Sequence, residues 1–552
     1  MRPFRLLAAL LCALLLCPPA YAASSGGVSV GYFYGTAAGA RGYTAGDVPV
    51  KALTHIQYAF GRIDPDTYQL TLAEPETDAE HLAGLRRLRQ EKPELKIILS
   101  VGGWSDSNCF SDVAATPENR EAFAKSCLKL LLEQDLDGID MDWEYPVYGG
   151  PADMVHRPED KQNYTLLLRA IREQMDKQTA LTGRVYELSI AAGDSDSFLE
   201  KIEPKALSEV TDYLFLMGYD YCGSWSARTG FNAPLDRLRA SVQDYIAAGV
   251  PADKLVLGMP LYGRRFEGTD EASGGLNSAF SKTASITYDA LVEQYLSSPA
   301  CKLYRDAAAA APYLFDSGTF ISYDDPASAA AKAGMARELG LAGIGFWEVS
   351  QNRTSTVIQT AWDVFSGSGA GDFSDLIAGS WYEEAVARAA AEGWMTGLAP
   401  RVFAPEMPVT RAGFAAALYE MAGADAGGDA RFSDVPADHA AAAAIAWCGT
   451  NGIVTGYGDG DFRPDASISR EQMAAMLLRF LQYRGLDAAP GASLSRFQDA
   501  GQVHTYAQEA MAWAVGAELL QGREDGKLVP GGTASRGETA VILSRFADNC
   551  LA

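Results

Sequence analysis

Histidine and cysteine are scarce: five histidines and eight cysteines occur in 552 residues. Cys12 and Cys17 sit in an N-terminal apolar run. The other six, Cys109, Cys127, Cys222, Cys301, Cys448 and Cys550, lie far apart with no zinc-ligand spacing. That leaves little material for a metal cluster, and no metal or other cofactor is expected. The spacing does not decide whether Cys109 pairs with Cys127. Basic charge is the second shortage. Lysine and arginine total 46 against 70 aspartates and glutamates, a net charge of −24. So acidic a surface repels a phosphate backbone, so no nucleic-acid partner is expected. Long apolar runs are the third. The stretch Leu6–Cys17 is too short to span a bilayer and no later run reaches about 18 residues, so no membrane span is expected in the mature chain.

What is present is ordinary globular material, 48% hydrophobic and 21% charged, enough for about three or four domains. Arg2 and Arg5, the apolar run, Pro18-Pro19 and the small-residue end Ala20-Tyr21-Ala22 have the order of a secretory signal peptide over residues 1–22, cut after Ala22. Eight β-rich runs follow: Val28–Phe33, Thr54–Phe60, Leu95–Val101, Gly138–Trp143, Tyr186–Ala191, Asp212–Met217, Lys254–Leu261 and Gly343–Trp347. Amphipathic stretches such as Asp78–Gln90 and Arg120–Leu132 lie between them. The alternation predicts an α/β chain with a (β/α)8 barrel over residues 28–365. The interval before the eighth run exceeds one helix and predicts an inserted α+β subdomain at about 264–322. A flexible linker, Ser366-Gly-Ser-Gly-Ala-Gly371, ends this half.

Beyond the linker the chain repeats itself. Phe373-Ser-Asp375, Phe432-Ser-Asp434 and Phe497-Gln-Asp499 open three units, read as 372–423, 431–485 and 496–549. Gly397, Gly456 and Gly522 each precede an arginine (Arg411, Arg470, Arg536) by 14 positions, and Pro405, Pro464 and Pro530 precede it by 6. Two spacings kept through three copies mark a mostly helical repeat array. Thr410, Ser469 and Ser535 stand where helix N-caps belong, and Gln472 and Glu538 complete capping boxes that Gly413 breaks in the first unit. An arginine in a first turn opposes the helix dipole. Its cost points to an anionic ligand held by the arginine and the helix amides. Salt bridges within the module are the alternative.

The sharpest feature is Leu136-Asp-Gly-Ile-Asp-Met-Asp-Trp-Glu-Tyr-Pro146. Asp140, Asp142 and Glu144 alternate with Ile139, Met141 and Trp143. Strand side chains alternate faces, with i and i+2 about 6.6 Å apart on one side. Three carboxylates therefore share one face, and at least one pKa must rise toward neutrality. A protonated acid is what glycosidic-bond cleavage needs. A solvated edge face or a calcium loop would also gather carboxylates. However, buried aromatics follow this strand, and Met141 and Trp143 stand where calcium loops carry turns.

Asp137-x-x-Asp140-x-Asp142-x-Glu144 with Trp143 and Tyr145-Pro146 resembles the signature of glycoside hydrolase family 18 chitinases. The resemblance covers about residues 28–362. It includes Ser100-Val-Gly-Gly103-Trp104 on the third strand, Met217-Gly-Tyr-Asp220 on the sixth, Tyr262-Gly-Arg264 and Gly345-Phe-Trp347. Tyr313-Leu-Phe and Phe320-Ile-Ser-Tyr-Asp-Asp-Pro326 resemble the family's chitinase insertion domain. The resemblance implies a substrate-assisted retaining mechanism, with Glu144 as acid and the substrate's own acetamido oxygen as nucleophile. It further implies that Asp142 orients the acetamide, that Asp140, held by Tyr32 and Ser100, exchanges a proton with Asp142, and that Tyr219 donates to the acetamido oxygen. Trp347 would floor the sugar site, Asp220 and Arg264 would hydrogen-bond the chain, and Phe60, Trp104 and Trp225 would offer stacking faces. Phe60 and Tyr262 equally suit barrel packing, Trp347 packing at a strand end, and Arg264 a structural ion pair. Cys222-Gly223 stand where relatives often carry His-Gly.

The repeats resemble S-layer homology domains, which implies an anionic secondary cell-wall polysaccharide as partner, gripped through Arg411, Arg470 and Arg536. The combined expectation is a secreted chitinase held at the cell wall and acting on chitin or N-acetylglucosamine oligosaccharides. Rival readings are an endo-β-N-acetylglucosaminidase or a peptidoglycan hydrolase on the same fold, a non-catalytic chitin-binding wall protein and a structural S-layer protein. The intact acidic strand argues against the last two.

Overall fold

The computed structural model describes residues 27–551, apart from 297, 299–300, 307, 368–372, 374, 377–378, 399–401, 426–427, 429, 431, 438, 489 and 524. The expected signal peptide and most of the expected linker lie outside the described residues. Fourteen strands are described: β1 (Val28–Tyr34), β2 (His55–Ile63), β3 (Leu70–Leu72), β4 (Lys96–Gly102), β5 (Gly138–Asp142), β6 (Glu187–Gly193), β7 (Tyr213–Met217), β8 (Leu255–Pro260), β9 (Tyr262–Glu267), β10 (Lys282–Thr287), β11 (Lys302–Asp306), β12 (Ala311–Asp316), β13 (Thr319–Ser322) and β14 (Gly343–Trp347). Eight of them, β1, β2, β4, β5, β6, β7, β8 and β14, pair in parallel, and β1 pairs with both β2 and β14, which closes the barrel. These are the eight runs read from the sequence.

Burial on both faces makes barrel strands nearly continuous apolar runs. Val28, Val30, Tyr32, Ala59, Tyr213, Phe215 and Val256 fill the barrel interior. Ile139, Met141 and Trp143 turn the other way, into the layer shared with the helices. Trp143 stacks on Phe110 at 5.3 Å and meets Tyr164 edge-on at 5.2 Å. Gly138 opens β5 because a Cβ there would lie 2.2 Å from the Glu187 carbonyl oxygen of the neighbouring strand. The helices begin earlier than amphipathic pattern alone suggests, at Pro75 and Pro117. Proline suits a first helical position, where its missing N–H costs nothing, and Thr116 caps the second helix from Asn119 N–H at 3.2 Å.

After β8 the chain runs into a five-stranded antiparallel sheet ordered β10-β9-β13-β12-β11. Strand β9 follows β8 after one residue, so it starts at the barrel mouth and carries Tyr262 and Arg264 there.

Two helices per repeat form the C-terminal part: Glu383–Ala391 and Arg411–Met421, Ala442–Thr450 and Arg470–Tyr483, Gln508–Gly516 and Arg536–Phe546. The second helix of each repeat packs on the first helix of the next, and the third repeat returns to the first, which closes a ring. Backbone bonds repeat around it: Arg411 N–H to Ala466 O at 2.8 Å, Arg470 N–H to Gly532 O at 2.9 Å, and Arg536 N–H to Met407 O at 2.7 Å. The N-caps Thr410, Ser469 and Ser535 and both capping boxes form as read. The opening aspartates have a role that the sequence did not reveal. Asp375, Asp434 and Asp499 accept the amides of Phe403 and Ala404, Phe462 and Arg463, and Leu528 and Val529. The second residue of each pair precedes proline with positive φ, at 59°, 58° and 52°, so the carboxylate fixes a turn that the backbone disfavours.

Candidate active site

β5 delivers its carboxylates one above another into the barrel. Asp140 is fully buried and accepts three hydroxyls: Tyr32 Oη at 2.9 Å, Ser100 Oγ at 2.7 Å and Ser189 Oγ at 2.7 Å. Burial raises its pKa, and those three bonds pull it back. Asp142, one step nearer the mouth, lacks this support. Its Oδ1 is buried and has no hydrogen-bond partner. Burial first, then the charges of Glu144 and Asp140, hold its carboxyl well above the usual range. Glu144 stands past the strand end and faces the cleft. Burial pushes its pKa up from 4.5 to about 7, Tyr145 opposes through a hydrogen bond and Asp220 adds to the rise. The lowest carboxylate is therefore the best stabilised, and burial shifts both upper carboxyls toward their protonated forms.

The backbone under Glu144 is pinned by Ser107, which the sequence reading did not single out. Ser107 Oγ accepts the Glu144 N–H at 3.0 Å and donates to Gly103 O at 2.8 Å. Gly103 has φ +77°, and a Cβ on it would lie 2.6 Å from the Phe60 ring. The close approach therefore requires glycine.

A cleft of about 670 Å³ opens above the stack. Tyr32, Phe60, Trp104, Asp142, Glu144, Tyr145, Met217, Tyr219, Asp220, Trp225, Tyr262, Arg264 and Trp347 line it. Asp140 and Ser100 lie beneath its floor, and Gly103 stands beside Phe60. Trp347 is the aromatic floor, meeting Tyr32 edge-on at 5.3 Å and stacking with Phe60 at 5.8 Å and Tyr34 at 5.9 Å. Phe60 thus both packs and faces the cleft. Peptide bonds Ala59-Phe60, Glu144-Tyr145 and Trp347-Glu348 are cis, and all three lie at this mouth. Trp104 and Trp225 are 56% and 62% exposed, large for tryptophan, and form the rim.

Tyr219 keeps its proton firmly, because burial raises its pKa and Tyr262, Asp142 and Glu144 reinforce the rise. Asp220 accepts Tyr262 Oη at 2.6 Å and Arg264 Nη2 at 2.6 Å, so Arg264 does form an ion pair while lining the cleft. Its guanidinium also lies 5.3 Å from the Trp225 ring centre. Asp137, at the opposite end of β5, is paired with Arg89 and Arg184 and accepts Ile97 N–H, which ties strands at the barrel base. Cys222, buried under the loop, donates to Arg228 O at 3.4 Å. All six described cysteines are free thiols, Cys109 and Cys127 included. Further cleft residues went unnoticed in the sequence, among them Tyr34, Asp194, Ser195 and Lys201. Burial lifts Asp194 to about 7 and lowers Lys201, whose ammonium stands 4.0 Å from the Tyr148 ring centre and 5.0 Å from that of Tyr145.

The repeat arginines have partners. Arg411 Nε donates to Phe462 O at 2.8 Å, Arg470 Nε to Leu528 O at 2.9 Å, and Arg536 Nε to Phe403 O at 2.7 Å, each into the next repeat around the ring. The following amides are also taken: Ala412 by Pro464 O, Glu471 by Pro530 O, Gly537 by Pro405 O. The expectation that these helix amides face a ligand is therefore corrected, because ring closure uses them. The alternative of salt bridges within the module fares little better, since Arg470 Nη1 lies 4.0 Å from Glu538. Arg411 still borders a groove of about 480 Å³ with Tyr457, Gln472, Arg479, His504 and Tyr506.

Among the described residues no helix is long and apolar enough to cross a membrane. The family model for glycosyl hydrolases family 18 matches residues 28–352, and the S-layer homology domain matches 372–415, 431–474 and 496–540. Chitinase A1 of Niallia circulans is 36% identical over 397 residues, 59% of this chain and 57% of its own length. The crystal structure of chitinase ChiW from Paenibacillus sp. FPU-7, described as a cell-surface-expressed multi-modular enzyme, is 36% identical with TM-score 0.56, covering 61% of this chain and 43% of that one. A family 18 N-acetylglucosaminidase from Paenibacillus barengoltzii is 34% identical with TM-score 0.56, covering 61% of this chain and 99% of its own. The chain thus spans little more than half of chitinase A1 and less of ChiW. A closed parallel barrel with a carboxylate stack on its fourth strand, matched by the family model over more than half the chain, belongs to glycosyl hydrolases family 18, here joined to three S-layer homology domains.

Proposed function

We propose that the protein is a secreted chitinase held at the cell surface, cleaving β-1,4 bonds between N-acetylglucosamine units with retention of configuration. The observation that carries the reading is the graded stack: Asp140 saturated by hydroxyls, Asp142 with an unsatisfied oxygen, and Glu144 with a pKa near 7 at the cleft. Glu144 donates its proton to the glycosidic oxygen as the bond breaks. The acetamido carbonyl oxygen attacks C1 and forms an oxazolinium, a substrate-assisted route that needs no second carboxylate nucleophile. Asp142 accepts the acetamido N–H, to which its free Oδ1 is suited, and Asp140 takes up the proton Asp142 sheds. Tyr219, a firm donor, meets the charge growing on the acetamido oxygen. Glu144, now a carboxylate, deprotonates the water that opens the oxazolinium, and the acid is restored. Trp347 carries the reacting sugar, and Trp104 and Trp225 extend the track along an unbranched chain.

The repeats bind an anionic wall polysaccharide in the grooves between them, with Arg411 and Arg479 supplying charge in the groove described above. The test of the catalytic reading is cleavage of chitin hexamer followed by proton NMR. The first-formed product is the β-anomer, and fully deacetylated hexamer is left intact. Turnover of the deacetylated oligomer, or an α-anomer first, contradicts it.

A further inference from the structure

Strand β11 is the outer edge of the insertion sheet, and an open edge of backbone donors and acceptors has to be covered. The repeat ring covers it. Leu303 N–H donates to Asp465 O at 3.0 Å, and Lys302 bridges antiparallel to Ala466, both in the second repeat. The third repeat contributes Thr533, whose Oγ1 donates to Leu296 O at 3.3 Å. The first repeat contributes an apolar patch, in which Val402, Ala404 and Met407 pack on Ala327 and Ala330 of the catalytic half. All three repeats thus touch the catalytic half through the loops that precede their second helices. Repeat 1 is altered where the insertion sheet lies beside it. The groove bordered by Arg536 is walled by Leu303, Tyr304 and Arg305. There Gly413 and Glu420 replace the Gln472 and Arg479 that line the open groove. Glu420 thus shares the groove wall with Arg305 of β11, where the open groove carries Arg479.

We propose that the repeat ring has a second role in this chain: it is a rigid mount for the insertion subdomain and braces the wall of the catalytic cleft. The sheet gives the mechanical link. β11 rests on the ring, and β12 and β13 join it to β9, whose Tyr262 and Arg264 hold Asp220 at the cleft. With the outer edge docked, the sheet has one position relative to the barrel, and the stacking face completed by Arg264 and Trp225 is set before substrate arrives. This bracing rests on the cleft being the chitin site, whereas the docking does not.

The test uses the full chain and the double variant Leu303→Pro/Ala330→Glu. The Leu303 amide points to the ring and not to β12, so proline at this edge removes the docking bond and leaves the β12 pairing, at the cost of a leucine that packs on the core. Ala330→Glu puts a charge into the patch. Hydrogen exchange followed by mass spectrometry reads peptides over 302–306 and 402–409, with barrel peptides over β5 and β6 as the control for folding. The expected result is slow exchange at both docking peptides in the parent chain and exchange at least about tenfold faster in the variant, with barrel peptides unchanged. KM for chitin hexamer rises several-fold while kcat holds. A second variant on the ring side, Met407→Asp, leaves the insertion sheet unaltered and is expected to give the same pattern. Fast exchange at 302–306 in the parent chain overturns the docking, as does unchanged exchange in both variants. Faster exchange with an unchanged KM overturns the bracing. Inactivity of the parent chain on chitin hexamer instead fails the chitinase reading and leaves the exchange result to decide the docking.

Discussion

Glu144 has to hold a proton at the pH at which it works, and burial provides for that at a cost in stability. Between its ordinary value of 4.5 and about 7, the folded protein keeps the proton and the unfolded chain releases it. Stability therefore falls as pH rises through that window, by up to about 3 kcal/mol for a shift of this size. Glu144→Gln removes the charge and with it the penalty. Thermal unfolding at pH 8 should show the variant melting a few degrees above the parent, and at pH 4 the two should coincide. The same proton sets the alkaline limb of kcat/KM for chitin hexamer, expected near pH 7 in the parent. Ser189 is a positioning residue for the stack. Ser189→Ala takes one of three hydroxyls from a buried carboxylate, so Asp140 keeps its proton more readily. A loss of about tenfold in kcat with KM unchanged is expected, and Ser189→Thr, which retains a hydroxyl, should recover most of it.

At the scale of the element, the site is assembled by strand register. Ser100 and Ser189 lie directly opposite Asp140 on β4 and β6, so the three hold one layer of the barrel. The stack itself was legible in the sequence, because a period of two along one strand is written in consecutive residues. Ser189 was not, because its importance comes from pairing with a strand 49 residues away. Ser107 was missed for a similar reason: its loop reaches the Glu144 backbone only after the barrel closes. In the repeats, the caps could be read locally, whereas the partners of Arg411, Arg470 and Arg536 are 51, 58 and 133 residues distant. A rule based on the helix dipole could not see a ring. At the rim, Trp104 and Trp225 are poorly buried and contribute little to folding. Trp104→Ala/Trp225→Ala should leave the melting temperature within about 2 °C. Insoluble chitin hydrolysis should fall about tenfold or more, with the trimer affected far less.

At the scale of the whole molecule, the barrel and the ring have separate apolar cores, with one small patch joining them. The catalytic half can therefore fold without the ring. A chain ended at Gly371 should remain folded, hydrolyse short oligomers and be lost from isolated cell walls in a sedimentation assay that retains the full chain. Retention of the truncated chain would place wall binding elsewhere. Ring closure makes a further point. Arg536 ties the last repeat to the first by bonds to Phe403 O and Thr396 O, so Arg536→Ala should loosen the array as a whole, while Arg411→Ala also strips charge from the open groove.

The account depends on Glu144 delivering the proton while the rest of the cleft holds the sugar chain. Glu144→Gln keeps the shape and removes the proton. Initial rates on chitin hexamer should fall at least about a thousandfold, while calorimetric titration of the same oligomer gives a Kd within about threefold of the parent's KM. A rate within tenfold of the parent, or parallel loss of binding and rate, would contradict it.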